Sequence, residues 1–130
     1  MIFRFIYRKR RRPKAAGPLI DEWRAEAKAS LVPRLRHLAS VHGFELHRVA
    51  IKNNRTNWGS CSTKGNINLN LQLMGLPEHL RDYVMLHELC HLKHPDHGED
   101  FHALLAKLLY EHDMPSEKLL REEIKKYHTI

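Results

Sequence analysis

Apolar residues recur at three- and four-residue intervals across residues 19–42, at Ile20, Trp23, Ala27, Leu31, Leu35 and Leu38. That spacing predicts a helix with one apolar face. Pro33 falls inside it and is expected to kink the helix or split it in two. Gly43 stands where a helix C-terminal cap is expected. Residues 45–52 (Glu-Leu-His-Arg-Val-Ala-Ile-Lys) then read as a strand, and Asn53-Asn54 as a turn. A second short strand is expected over residues 58–62, with Lys64-Gly65 as a hairpin turn. Residues 66–71 (Asn-Ile-Asn-Leu-Asn-Leu) alternate without a break. They predict a half-buried strand with an asparagine face and an aliphatic face.

Pro77 suits the first position of a helix running to about Lys93. Leu80, Tyr83, Val84, Met85, Leu86, Leu89, Cys90 and Leu92 make that helix apolar almost all round, which places it in the middle of a domain. His94 precedes Pro95 and is biased away from helix. Asp96 and Glu99 have capping-box spacing for the next helix, whose apolar face is Phe101, Leu104, Leu105, Leu108 and Leu109. Ser116 is expected to cap a last helix carrying Leu119, Leu120 and Ile124.

The chain length of 130 residues fits one domain. Two cysteines, Cys61 and Cys90, do not make a disulfide framework. The short apolar run near the start is broken by Arg4, so no secretory signal is expected. No stretch approaches the ~20 apolar residues of a membrane helix. These features predict a cytoplasmic protein with reduced thiols.

The charge is unevenly placed. The formal net charge is +7, from 22 basic and 15 acidic residues. Residues 1–14 hold Arg4, Arg8, Lys9, Arg10, Arg11, Arg12 and Lys14 and no acid, so they carry the whole excess. Residues 1–18 are expected to be a flexible basic arm and residues 19–130 the folded domain. Such an arm suits nucleic acid or an anionic membrane surface as a partner.

The central helix carries His87-Glu88-Leu89-Cys90-His91. Residues four apart share a helix face, so both imidazoles can reach one ion. Zinc favours such nitrogen ligands. Glu88, one position round the helix, can take a proton from a water that the ion has acidified. A buried carboxylate without such a purpose would be costly. A catalytic zinc commonly has three protein ligands and one open position. His97 is the expected third ligand, because the chain can leave the helix at Pro95 and turn back through the Gly98 region. His94 and Glu111 are the rivals for that place. His102 is a candidate to hold a ligand in place or to polarise a substrate carbonyl, and equally a solvent-facing helix histidine.

Two other features invite chemistry. Cys61 would need a histidine base to act as a nucleophile and reads better as a small buried side chain beside Trp58. Cys90 reads as core. The strand over residues 66–71 could offer an edge to an extended peptide, or simply present its asparagines to solvent.

Several motifs stand in order along the chain: Thr56-Asn57-Trp58-Gly59-Ser60-Cys61-Ser62, Gly65-Asn66-Ile67-Asn68-Leu69-Asn70, Asp82-Tyr83-Val84, His87-Glu88-Leu89-Cys90-His91-Leu92, His97-Gly98 and Phe101. Together they resemble the YgjP-like family of metal-dependent hydrolases, zincin-fold proteins related to the SprT-like metallopeptidases. The resemblance spans residues 19–112. It implies zinc at His87, His91 and His97, with Glu88 catalytic. It also implies an α+β, zincin-like minimal metallopeptidase domain, with helices packed on a small antiparallel sheet around a central active-site helix. The chain departs from the family pattern at His102, where tryptophan often follows the phenylalanine, and at Asn57, where a basic residue usually precedes the tryptophan. Met114 lies in Asp113-Met114-Pro115, which does not resemble the methionine turn of metzincins.

The expected function is a zinc-dependent metallopeptidase acting on protein or peptide. The alternative is a nucleic-acid-associated module with a structural zinc and a basic binding arm. Glu88 separates the two, since a structural site needs no carboxylate beside its ligands and is closed by a fourth one.

Overall fold

The computed structural model describes residues 2–6 and 17–129 of the chain. In chain order they form β1 (Ile2–Ile6), α1 (Gly17–Val41), β2 (Arg48–Lys52), β3 (Asn57–Ser62), β4 (Asn66–Asn70), a 3-10 turn (Leu71–Gly75), α2 (Glu78–His91), α3 (Glu99–Glu111) and α4 (Glu117–Ile124). The fold is α+β, with helices packed on one small sheet and α2 at the centre.

The sheet has the order β1-β3-β4-β2. β3 pairs antiparallel with β1 and with β4, but β2 runs parallel to β4, with Val49 opposite Ile67 and Ile51 opposite Leu69. The sheet is therefore mixed, not wholly antiparallel. β4 reaches its place through the Gly65 hairpin, where φ is +84° and glycine is favoured. It inserts between β3 and β2, burying Ile67 and Leu69. Of the two readings of the asparagine-faced strand, this removes the free edge. Asn66 and Asn68 lie on a half-buried face, while Asn70 serves the structure. Asn70 is buried, donates to the carbonyls of Asn54 and Asn57 at 2.8 and 2.9 Å, and accepts from the Gln72 amide at 3.0 Å.

The edges of the sheet are β1 and β2. Residues 2–6, expected in a flexible arm, form β1, with Phe3 opposite Cys61 and Arg4 opposite Ser60. The β-branched and aromatic residues Ile2, Phe3, Phe5 and Ile6 favour that extended state. The basic run from Arg8 to Lys14 lies outside the described residues.

Helix α1 passes through Pro33 as a single element. Pro33 frees the carbonyl of Ala29, and both residues are exposed, so water can satisfy it. Gly43, at φ +71°, ends the helix, and the Phe44 amide turns back to Ala39 O at 2.8 Å. Arg34 grips Asp82 with two hydrogen bonds of 3.1 and 2.9 Å, fixing α1 to α2. Leu31, Leu35 and Leu38 of α1 join Leu80, Val84 and Leu89 of α2 in the core. Ser116 caps α4 through a 3.4 Å bond from the Leu119 amide. The cap of α3 is Gly98, with no side-chain bond, in place of the expected Asp96. Among the described residues no helix is long and apolar enough to cross a membrane.

Candidate metal centre

Helix α2 is buried along most of its length because it runs between the sheet and the other helices. His87, Glu88 and His91 are buried with it. The chain leaves α2 after His91, bends at Pro95 and returns at His97, just before α3 begins. His97 is the exposed member. The ligand atoms of His87, His91 and His97 all lie within 4.8 Å of one another, so the three rings converge on one point. Among the described residues, no fourth histidine, cysteine or carboxylate joins that group.

The rivals for the third position lie elsewhere. His94 contributes its backbone, not its ring: its carbonyl oxygen accepts from Nδ1 of His91 at 3.1 Å. A carbonyl only accepts, so Nδ1 carries the proton and Nε2 of His91 keeps its lone pair. Glu111 sits at the far end of α3, 3.5 Å from Nδ1 of His42.

Phe101, fully buried on α3, touches all three histidines. Its ring centre lies 4.5 Å from His91 in a stacked arrangement, and 5.1 and 4.8 Å from His87 and His97 edge-on. A rigid ring with no polar atom packs the imidazoles without competing for their nitrogens. Periodicity marks Phe101 only as a core residue. Its nearness in sequence to His97 and Gly98 is the available signal for more.

Glu88 occupies the tightest place. Its residue is wholly buried, and its stem lies against Gly59 of β3. A Cβ at position 59 would stand 3.2 Å from Glu88 Cγ and 3.3 Å from the Asn68 carbonyl. Gly59 thus gives Glu88 its room, a role that the sequence alone did not reveal. Oε2 of Glu88 lies 3.3 Å from Nδ1 of His87, while Oε1 is buried and has no hydrogen-bond partner among the described residues.

The electrostatics follow from burial. Burial lowers His87 to about 3 and His91 to about 4, with the His87 charge adding to the shift at His91. His97 is lowered for the same two reasons. All three rings are therefore neutral at pH 7 and hold the lone pairs that a cation needs. Burial also drives Glu88 well above the ordinary carboxylate range. A cation beside it reverses that cost by favouring the charged form. An oxygen with no partner, next to three neutral imidazoles, fits a divalent metal ion with an open position.

The cysteines stay out of this chemistry. Burial pushes both Cys61 and Cys90 up to about 12, which keeps them as thiols. Cys61 donates to the carbonyl of Ser62 at 3.4 Å.

The profile of one protein family, described as the YgjP-like metallopeptidase domain, matches residues 3–123. The match includes most of β1 and every residue named in the site. No curated protein sequence matches the chain. Among solved structures, the fold is similar to that of the metallopeptidase zymogen abylysin from Pyrococcus abyssi, with a TM-score of 0.61 and 24% identity. The likeness covers 77% of this chain and 99% of that one.

Proposed function

The chain belongs to the YgjP-like metallopeptidase domain family, and on that premise we propose that it is a zinc-dependent peptidase with His87, His91 and His97 as ligands and Glu88 as general base. Membership makes it a metal-dependent hydrolase; the choice of zinc and the residue roles are the further step. The observation that carries them is the convergence of three neutral imidazoles beside a buried carboxylate oxygen that lacks a partner. Three nitrogen donors with no fourth protein ligand among the described residues suit a catalytic zinc better than a structural one.

When bound, zinc supplies Lewis acidity that brings the pKa of a water to ~7 and polarises a carbonyl. The chain's own residues do the rest. Oε1 of Glu88 accepts the proton of the attacking water. The same oxygen returns it to the leaving nitrogen as the peptide C–N bond breaks. The close approach of Gly59 on β3 limits where the Glu88 stem can move. The His94 carbonyl and the Phe101 ring hold the His91 imidazole in one orientation. The substrate is a protein or peptide.

The decisive experiment loads the wild type and Glu88→Gln with zinc and follows hydrolysis of a fluorescent casein. The substitution removes the base and keeps the imidazoles. Zinc content should remain at one per chain while hydrolysis falls by about 10² to 10⁴. Undiminished hydrolysis by Glu88→Gln would refute the mechanism.

A further inference from the structure

Beside the three histidines, α3 and α4 bring a second set of polar groups together. The ring centre of His102 lies 6.3 Å from that of His97 and 5.2 Å from that of Phe101. Nδ1 of His102 lies 2.7 Å from Oε1 of Glu117. Nη2 of Arg121, one turn further along α4, donates to Oε2 of the same carboxylate at 2.7 Å. Arg121 also bonds to Tyr83, a buried residue of α2 whose ring stands edge-on to His87 at 6.3 Å. The network therefore runs from His102 through Glu117 and Arg121 back to the helix that carries the metal ligands.

An incidental surface pair would leave its carboxylate in water. The Glu117 side chain is only 15% exposed, and both its oxygens are engaged. His102 is different: its side chain is 44% exposed, and among the described residues its Nε2 has no hydrogen-bond partner. One nitrogen is clamped while the other stays available. Glu117, His102 and Arg121 are also the charges that act on His87, which puts all three near the cluster.

This inference rests on the peptidase reading above. We propose that His102 is a catalytic residue of the site, donating from Nε2–H to the carbonyl oxygen of the peptide under attack, and that Glu117 is its positioning residue. Negative charge gathers on that oxygen when water adds to the carbonyl carbon. A donor held in place before the charge develops needs little reorganisation to meet it. A ring protonated at both nitrogens donates from each, Nδ1 to Glu117 and Nε2 to the oxygen. Arg121 holds Glu117 through a charge-assisted bond, so the carboxylate cannot follow the substrate. His102 keeps its proton throughout. When the C–N bond breaks, the charge on oxygen collapses back into the carbonyl, and the leaving nitrogen is protonated from Glu88.

Two probes test this on the zinc-loaded protein. A phosphonamidate peptide presents the tetrahedral anion that His102 would contact, whereas acetohydroxamate needs only the metal. For His102→Ala, phosphonamidate affinity should fall about 10- to 100-fold, the usual weight of a hydrogen bond to a charged group. Acetohydroxamate affinity and zinc content should not change. His102→Gln keeps an N–H donor and should recover part of the loss. Glu117→Gln should weaken the phosphonamidate less, and in the phosphonamidate complex imidazole ¹⁵N spectra should change from a His102 ring protonated at both nitrogens to a mixture of neutral tautomers. Equal phosphonamidate affinity in wild type and His102→Ala, with acetohydroxamate binding intact, overturns the role of His102 and leaves the peptidase reading standing. A wild type that takes up zinc but binds neither probe overturns both.

Discussion

The backbone carbonyl of His94 lies 3.1 Å from Nδ1 of His91 and so decides which nitrogen of that ring carries the proton. The same short stretch of chain makes the turn that brings His97 to the cluster. One segment thus orients one histidine of the cluster and delivers another, and the His94 ring takes part in neither task.

The two histidines should accordingly respond differently to substitution. His94→Ala keeps the backbone carbonyl and should retain one zinc per chain. His97→Ala removes a nitrogen donor. Loss of a mere orienting partner costs about 10- to 100-fold in metal affinity, and loss of a ligand should cost more. Metal analysis after dialysis against a weak chelator compares the two. Equal zinc retention would remove His97 from the ligand set.

Gly59→Ala tests the seat of Glu88. The new methyl would crowd Glu88 Cγ at 3.2 Å and the Asn68 carbonyl at 3.3 Å. Overpacking of this kind costs about 1–3 kcal/mol of stability. A displacement of Glu88 near 1 Å should lower kcat by about 10²-fold. The crowding falls on Glu88, Asn68 and Val84, not on the three histidines, so zinc content should hold. A variant with wild-type kcat would mean that Glu88 is not confined by β3.

The His42 and His112 pair makes stability sensitive to acid. Their Nε2 atoms lie 2.8 Å apart, so one ring donates and the other accepts. Burial lowers the His42 pKa, the His112, Lys107 and His37 charges lower it further, and only Glu111 opposes them. Above the ordinary histidine value near 6.5, both folded and unfolded chains are neutral at this position and it costs nothing. As pH falls through ~6.5, the unfolded chain takes up a proton that the folded chain refuses, so stability declines until the lowered folded pKa is reached. His42→Gln should flatten that decline in urea titrations of the metal-free protein. The buried histidines His87 and His91 contribute in the same direction, so the difference between the two proteins is the quantity to measure. An identical slope in both would exclude the pair as its source.

The basic run is a further proposal, that residues 8–14 bind a polyanion. If about five of its charges engage duplex DNA, log K should fall with log salt at a slope near −4 to −5. Because residues 2–6 form a strand of the sheet, the clean variant neutralises Arg8, Lys9, Arg10, Arg11 and Arg12 to Gln and leaves β1 in place. Titration against DNA, RNA and anionic vesicles at two salt concentrations separates the partners. Unchanged affinity for all three would end the proposal.

Local patterns were legible where local physics decides. The period of α1, the Gly43 and Gly65 turns, the Ser116 cap and the buried character of α2 could all be read from neighbouring residues. Strand order could not, because alternation in residues 66–71 is the same whether the strand lies at an edge or between two others. The strand at residues 2–6 was masked by the charges beside it, since composition counts Arg4 with the basic run while sheet pairing depends on its apolar neighbours. At the site, helix spacing brought His87, Glu88 and His91 forward. The contacts of Gly59 with Glu88, Glu117 with His102 and Arg121 with Tyr83 join separate elements, and no spacing rule reaches that far.

The three clustered histidines and their aromatic platform all fall within residues 87–101, whereas Glu88 is seated by a strand far earlier in the chain. Closing a short loop costs little chain entropy, and a longer one costs more. Metal capture and base positioning therefore have different folding requirements. Loosening of the sheet by mild denaturant should displace Glu88 before it separates the three histidines, so that hydrolysis is lost at a lower denaturant concentration than metal binding.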